Sequence, residues 1–140
     1  MIEGSYLVRQ DSGLTKNEEV DRFGTRIAVG KGSAYDLFLT REIKSAQIMR
    51  APTSPTTVDF FLAQNLDVAA GVKQQLEMDA KRLPHLRLLP GRFMVIEQAM
   101  GLPKSRNVEA LIYLQRFVEE MKSSGFVANA LGKHQIEGVY

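Results

Sequence analysis

The 140-residue sequence contains no cysteine and no tryptophan, and its longest apolar stretches have the length of a strand. Without cysteine, the chain cannot be a disulfide scaffold or hold zinc through thiolates. Apolar runs this short exclude a membrane-spanning helix. With 44% hydrophobic and 24% charged residues, the composition is that of an ordinary globular protein. A disordered tail, a collagen-like fibre and a coiled coil are therefore excluded as well.

The sequence also lacks a concentration of charge of one sign. Lysine and arginine together number 18 against 16 acidic residues, and basic side chains stand among acidic ones, as Arg41 does beside Glu42. A nucleic-acid-binding surface needs basic residues gathered in a patch, so we expect no nucleic-acid partner. The residues after Met1 show neither the basic nor the apolar region of a signal peptide. The chain as written is therefore expected to stay in the cytosol.

Strand-like and helix-like segments alternate through the first two thirds of the sequence. Extended segments are predicted at residues 6–8, 26–29, 46–49, 67–72, 86–89 and 92–100. Helix starts are predicted at three pairs of residues that are typical of helix N-termini. These pairs are Thr15 with Glu18, Ser33 with Asp36, and Ser54 with Pro55. Leu37, Phe38 and Ile43 form the predicted apolar stripe of the helix after Ser33. A further helix is predicted over 73–83. This order predicts an α/β fold with a mostly parallel sheet flanked by helices.

The last third of the sequence is helical in pattern. Apolar residues from Val108 to Met121 recur at helical spacing, Gly125 suits the end of that helix, and a second helix is predicted over 126–133. The pattern is therefore α/β from residue 1 to about 100 and a helical pair over 105–134. A large apolar stripe seldom stays exposed on a monomer, which predicts a homodimer through the C-terminal helices. The alternative is that the stripe folds back onto the chain's own sheet.

The junction between the strand 26–29 and the next helix is the strongest site candidate. It carries Gly30, Gly32 and Ser33, and a helix start after a glycine turn offers free N–H groups and a positive dipole end to an anion. The spacing matches neither a phosphate-binding loop nor a dinucleotide fingerprint. In the alternative interpretation, Ser33 only caps its own helix, with Asp36 as its reciprocal partner.

Other residues carry weaker signals. Tyr35 is a candidate to stack on a ligand, or else an aromatic residue at the edge of the core. His85 and His134 have no second histidine at the spacing of metal ligands, and the methionines are dispersed. No paired acid and base is apparent. We therefore expect no metal, no cofactor and no catalytic residue.

The order of several segments resembles that of the bacterial type 2 solute-binding proteins of ABC transporters. The resemblance rests on residues 4–8, 20–29 and 32–35, on 59–71 with its small-residue strand, on 93–103, and on 122–126. It extends over nearly the whole chain. Proteins of this family have two α/β lobes that close on a small solute.

The resemblance implies that residues 1–98, with the crossover strands, form the second lobe. Residues 99–140 are then the C-terminal helices that return to a first lobe not contained in this sequence. The implied parent is a periplasmic protein that works with an ABC transporter permease, and this chain is part of it. The implied ligand is a small-molecule solute.

The resemblance also implies which residues line the ligand site. Gly32 and Ser33 match the step at which amino-acid binders hold the ligand carboxylate, and Tyr35 lines the same half of the cleft. Ala34 replaces a residue that often carries a second hydroxyl. Val72 occupies a position where amino-acid binders commonly have an aspartate for the ligand ammonium. Because valine cannot neutralise a buried cation, a carboxylate or another small polar solute is expected here in place of an ordinary α-amino acid.

Two other functions are compatible with the same lobe. One is the effector-binding domain of a transcriptional regulator such as the LysR type, although the sequence shows no helix-turn-helix or basic face. The other is an enzyme, since some dehydratases use this fold.

Overall fold

The computed structural model describes residues 1–134, so the last six residues of the segment 99–140 lie outside the described residues. Contacts divide the chain into two compact units. One is Ile2–Ile96, and the other comprises Met1 and the chain from Glu97 onward. No helix among the described residues is long and apolar enough to cross a membrane.

The first unit contains six strands and three α-helices. The strands are β1 (Ile2–Arg9), β2 (Arg26–Gly30), β3 (Gln47–Ala51), β4 (Val68–Val72), β5 (Leu86–Leu88) and β6 (Met94–Ile96). The helices are α1 (Ala34–Glu42), α2 (Thr57–Ala63) and α3 (Lys73–Arg82), with short 3-10 helices at Asn17–Glu19 and Ser54–Thr56. Every predicted extended segment contains a strand, which confirms the α/β class. The last predicted segment is shorter than expected, because β6 ends at Ile96.

The strands form one sheet in the order β3-β2-β4-β1-β5, with β6 also paired to β1. β2 pairs in parallel with β3 and with β4. β1 is antiparallel to β4, β5 and β6, so it alone runs against the other five strands. β6 pairs with the first half of β1 and β5 with its last residues. The prediction of a mostly parallel sheet therefore holds for strand direction, with one reversed strand inside it.

Helices cover both faces of this sheet. Alternate residues of β1 point to opposite faces, so Tyr6 joins the cluster on the α1 side and Leu7 joins the cluster beneath α2 and α3. In α1, Tyr35 and Leu39 face the sheet, one turn apart. The predicted stripe on this helix was wrong at Leu37, which is 55% exposed.

Two helix starts differ in detail from their predictions. Glu19, not Glu18, caps the first 3-10 helix, because its carboxylate accepts the N–H groups of Thr15 at 2.7 Å and of Lys16 at 3.1 Å. The start predicted at Ser54 is a 3-10 helix capped by Thr53, and α2 continues directly from it. Both segments are short, so a shift of one residue in the capping position leaves the fold unchanged.

The second unit contains two helices, α4 (Val108–Ser123) and α5 (Phe126–Lys133). The side chain of Asn107 caps α4 by accepting the N–H of Ala110 at 3.0 Å. Gly125 lies between the helices with φ +79°, a left-handed conformation that glycine adopts without strain. Neither helix has a buried residue, so this helix pair has no core of its own.

Asp21 ties the segment before β2 to the loop that leads into β3. Its two carboxylate oxygens accept the N–H groups of Lys44, Ser45 and Ala46 at 2.7–2.9 Å. These three backbone hydrogen bonds stabilise the ionised form, and they lower the pKa of Asp21 below its usual range.

We expect Asp21→Asn to lower the free energy of unfolding by about 1 kcal/mol at neutral pH, because an amide offers only one acceptor oxygen. A carboxyl with a lowered folded-state pKa stabilises the fold above its unfolded-state pKa and loses that contribution as the pH falls through the folded value. The difference between the two proteins should therefore shrink on acidification. Urea unfolding at pH 7 and pH 3 measures it. Asp11→Asn is the matched control, since Asp11 is exposed. An equal loss in both variants would contradict the prediction.

Candidate functional site at the carboxyl ends of β2 and β4

The candidate residues meet at one edge of the sheet. β2 and β4 are neighbouring parallel strands, and the chain leaves β2 toward β3 on one side and reaches β4 on the other. This reversal of direction is a topological switch point, where open α/β sheets form a crevice at the carboxyl ends of the strands. Gly32 and Ser33 follow β2, and Val72 ends β4. The structure therefore brings the two predicted parts of the site to the same edge.

The turn after β2 is held tightly. A side chain at Gly30 would come within 2.6 Å of the backbone of Ser54, so only glycine allows the two loops to approach. The N–H of Lys31 donates to the carbonyl of Ala51 at 3.0 Å, which joins the turn to the end of β3. Gly32 has φ +72°, a left-handed conformation that reverses the chain before the helix. This turn places Ser33 at the start of α1.

Ser33 is the N-cap of α1, as the capping interpretation predicted. Its hydroxyl oxygen accepts the N–H of Asp36 at 3.1 Å, and its own N–H donates to Gly30 at 3.1 Å. The first N–H groups of a helix have no acceptor within the helix. Two of the four at this end are thus satisfied, while those of Ala34 and Tyr35 are left to an outside acceptor. The hydroxyl proton of Ser33 also stays available as a donor, so capping and anion binding are compatible.

Asp36 takes the reciprocal place in this cap, with one difference from the expectation. Its carboxylate accepts the N–H of Gly32 at 2.9 Å, so the Gly32 amide implied as a ligand contact already has an acceptor. The same carboxylate lies 3.0 Å from Nε of Arg50 and accepts the hydroxyl of Thr40. Burial raises the pKa of Asp36, but the Gly32 N–H and the Arg50 guanidinium outweigh it and hold the pKa below its usual range.

Tyr35 lies in the core, and its ring is not available to stack on a solute. It is 4% exposed and packs edge-on against Phe93, with ring centroids 6.0 Å apart. The ring passes over Gly4, where a side chain would lie 2.8 Å from Cε1. Of the two interpretations of Tyr35, the aromatic at the core edge is the one found. Its hydroxyl has no hydrogen-bond partner among residues 1–134.

The other wall of this edge is the junction of β4 and α3. Val72 is half-buried, pairs with Gly4 across the sheet and precedes α3 without providing a side-chain cap. Lys73 begins α3, and its Nζ lies 2.8 Å from Oε2 of Glu3. Nη1 of Arg92 lies 2.8 Å from the other oxygen of Glu3. Local sequence patterns give no signal of this ion cluster, because Lys73 and Arg92 are 70 and 89 residues from Glu3 along the chain.

The ion cluster fixes the charge state of its members. Hydrogen bonds from Lys73 and Arg92 lower the pKa of Glu3 below its usual range. The same bond to Glu3 raises the pKa of Lys73, against the opposing effect of its partial burial. Glu3 therefore stays ionised and Lys73 stays protonated throughout the neutral pH range.

The groups that this edge offers to a solute are hydrogen-bond donors. The open amides of α1 and the Ser33 hydroxyl can donate to an anion. Within residues 1–134, no group of three or more histidine, aspartate or glutamate side chains could hold a metal ion. His85 lies next to the last residues of β1, where its carbonyl accepts the N–H of Gln10 at 2.8 Å, and so it is not at this edge.

No protein-family model matches the chain, and no curated protein matches its sequence. Solved structures match it by fold. A Wolinella succinogenes protein described as an ABC-transporter binding component, complexed with lysine, has a TM-score of 0.74 at 15% identity, covering 94% of this chain and 58% of its own. An ancestral arginine-binding protein bound to glutamine has a TM-score of 0.79 at 15% identity, covering 97% and 60%.

An ancestral cyclohexadienyl dehydratase is also similar, with a TM-score of 0.58 at 23% identity over 94% of this chain and 56% of its own. In each case the chain spans less than two thirds of the length of the solved structure. The mixed sheet, its switch point and these matches agree with the resemblance found in the sequence. The chain has the fold of the type 2 periplasmic binding proteins.

Proposed function

We propose that this chain provides one wall of the solute site in the substrate-binding component of an ABC transporter. The solute is a carboxylate or another small polar molecule. The observation that carries the proposal is the pair of open amides at Ala34 and Tyr35, beside the Ser33 hydroxyl, at the switch point of the sheet. Val72 forms the apolar part of the same wall.

In this proposal, residues 1–98 are the second lobe and 99–140 are helices that return to a first lobe. The parent is periplasmic and delivers its solute to a permease. Support comes from the coverage of 56–60% of the matched structures. Solutes named with those structures are amino acids, lysine in one and glutamine in another.

An effector-binding domain of a LysR-type regulator is the second candidate, because such a domain would use the same crevice. A DNA-binding segment in the parent protein would favour it, and a neighbouring gene for a permease or ATPase would favour transport. Catalysis is less well supported. The dehydratase among the matched structures shares the fold, but the donors at this edge, amides and a hydroxyl, do not form an acid–base pair. We therefore propose a binding protein.

Ala34→Pro tests the amide site without removing the cap. Proline is favoured at the first position of a helix, and Ser33 has φ −69° and ψ 162°, a conformation that a following proline accepts. The variant loses the Ala34 N–H, so we expect binding of a small carboxylate such as valerate to weaken by about two- to tenfold. Titration followed by the Ser33 and Tyr35 amide signals measures it.

Ser54→Ala is the control, because Ser54 lies in an exposed loop near the site and its substitution removes no donor of α1. Thr57→Pro would be a poorer control, because Thr57 is buried. Ser54→Ala should bind valerate as the unmodified chain does. If adding valerate shifts only the amide signals of residues away from this edge, the assignment of the site is contradicted. If Ala34→Pro binds valerate with unchanged affinity, the Ala34 N–H is not part of the site.

We also propose that this chain by itself, without the first lobe, forms a homodimer through α4 and α5. Apolar side chains on these helices are exposed, among them Leu111 at 48%, Phe117 at 40% and Phe126 at 62%. The helix pair has no buried residue of its own, so it gains its hydrophobic stabilisation only by covering these side chains. A second copy supplies an identical apolar surface, either by exchange of the helices or by packing them together.

Light scattering at micromolar concentration should therefore give a mass twice that of the chain. Leu111→Glu places a charge on the apolar side of α4 and should shift the equilibrium toward the monomer. Ser123→Glu adds the same charge at an exposed position near the end of the helix and should leave the dimer intact. A monomer mass for the unmodified chain would refute the dimer.

A further inference from the structure

A cavity lies at the opposite end of the sheet from the candidate site. β1 runs against β2 and β4, so its last residue, Arg9, is at the edge opposite to the carboxyl ends of those two strands. The cavity has a volume of about 430 Å³, and its lining includes Arg9, Leu62, Pro84, His85 and Leu86. An apolar lining with a few polar groups, around a volume of this size, is typical of a small-molecule site.

Three apolar side chains form one wall of this cavity, the apolar wall (Leu62, Pro84 and Leu86). Leu86 pairs with Arg9 across the sheet, so the two side chains stand next to each other on the face covered by α2 and α3. Leu62 is in the last turn of α2, and like Leu86 it is half-buried against the cluster on that face. This wall can cover the hydrocarbon part of a small molecule.

The guanidinium of Arg9 is held in place and keeps unused donors. Its Nη1 donates to the carbonyl of Leu66 at 2.6 Å, and its Cζ lies 4.7 Å from the centre of the Phe61 ring. Within residues 1–134 this is its one side-chain hydrogen bond, and no carboxylate forms an ion pair with it. A guanidinium has five N–H donors in a rigid planar fork that matches the two oxygens of a carboxylate. Arg9 can therefore bind a carboxylate with a preformed geometry.

His85 has a strained backbone beside the cavity. Its φ is +67°, in the left-handed region that is uncommon for a residue with a side chain. Its carbonyl accepts the N–H of Gln10, which fixes this turn against the end of β1. The side chain is exposed to solvent and lines the cavity. Strain of this kind is concentrated at binding and catalytic sites, and here it places an imidazole next to the Arg9 guanidinium.

Asp11 limits the charge that the cavity accepts. Its carboxylate lines the same cavity, is exposed, and has no hydrogen-bond partner among the residues that the structure describes. A ligand with one carboxylate can use Arg9 as its counter-charge. A second negative charge on the ligand would meet Asp11, a charge of the same sign.

We propose that this cavity is a second ligand site, and that its ligand is a monocarboxylate with an apolar body. The carboxylate binds to the Arg9 guanidinium, the body covers the apolar wall, and His85 borders the charged end. The inference does not depend on the proposed function, because the residues that line this cavity belong to other segments than the edge that carries Ser33.

Four probes test the ligand class in the 140-residue chain. Phenylacetate has both parts of the ligand, phenylacetamide keeps the ring without the charge, and acetate keeps the carboxylate without the ring. We expect phenylacetate to bind about tenfold more tightly than phenylacetamide, the size of one charge-assisted contact, and at least about tenfold more tightly than acetate. Phenylsuccinate adds a second carboxylate and should bind more weakly than phenylacetate. Titration followed by the amide signals of Arg9, Gln10 and Leu86 measures all four.

Variants at this end of the sheet test the role of each charge. Arg9→Lys keeps the positive charge and loses the planar fork, so phenylacetate should bind about two- to tenfold more weakly. Arg22→Gln is the matched control, because Arg22 lines a neighbouring cavity and its loss should leave the affinity unchanged. Asp11→Asn should strengthen binding, because it removes the like charge. This opposite change separates an effect of charge from a loss of structure.

His85→Gly separates the site from the stability of the fold. Glycine adopts the left-handed conformation without strain, so this variant should not lower the Tm, whereas its affinity for phenylacetate should fall by about two- to fivefold. A variant with unchanged affinity would remove His85 from the site.

The remaining outcomes decide the proposal itself. Equal affinities for phenylacetate and phenylacetamide would overturn the carboxylate class. Equal losses in Arg9→Lys and Arg22→Gln would show a general attraction of the anion to this end of the sheet, and would overturn the role of Arg9. If none of the probes shifts the amide signals of Arg9, Gln10 or Leu86, the second site is wrong. The Ser33 and Tyr35 signals report the other edge, so this failure leaves the proposed function standing.

Discussion

The carboxylate of Asp36 is the contact on which the candidate site depends. It accepts the Gly32 amide in the turn after β2, binds the Arg50 side chain from β3, and belongs to the first turn of α1. One buried group therefore fixes the turn, the helix start and the neighbouring strand relative to one another. Because hydrogen bonds to its charged form outweigh the cost of its burial, this arrangement persists across the neutral pH range. The amides of Ala34 and Tyr35 are presented by a rigid support.

The sequence was sufficient for the elements whose signals are local. Alternation of apolar strands and capped helices predicts α1, α3, α4 and α5 to within a few residues, since periodicity and capping act over one or two turns. The Ser33–Asp36 cap is of this kind, and its hydrogen bond is found as expected. Burial of individual side chains was harder, as Leu37 shows, because the direction in which a short helix faces is set by the sheet beneath it.

Features that join distant segments could not be obtained from local patterns. The reversed direction of β1 follows from its pairing with β4, some 65 residues away, and nothing within Ile2–Arg9 specifies it. Tyr35 is adjacent to the glycine turn in sequence, yet its ring enters the core because Gly4, on another strand, leaves room for it. The Glu3 ion cluster is assembled from three segments in the same way. Such contacts require the topology first.

The pairing of β1 with β6 has a consequence for how this unit is connected. Ile2 lies opposite Ile96, so the chain enters and leaves the sheet at neighbouring points. A unit with adjacent ends can be inserted into a host chain, or have its original ends joined and new ones opened in a surface loop, without separating any strand from the sheet. Ile2–Ile96 is therefore suited to domain insertion and to circular permutation.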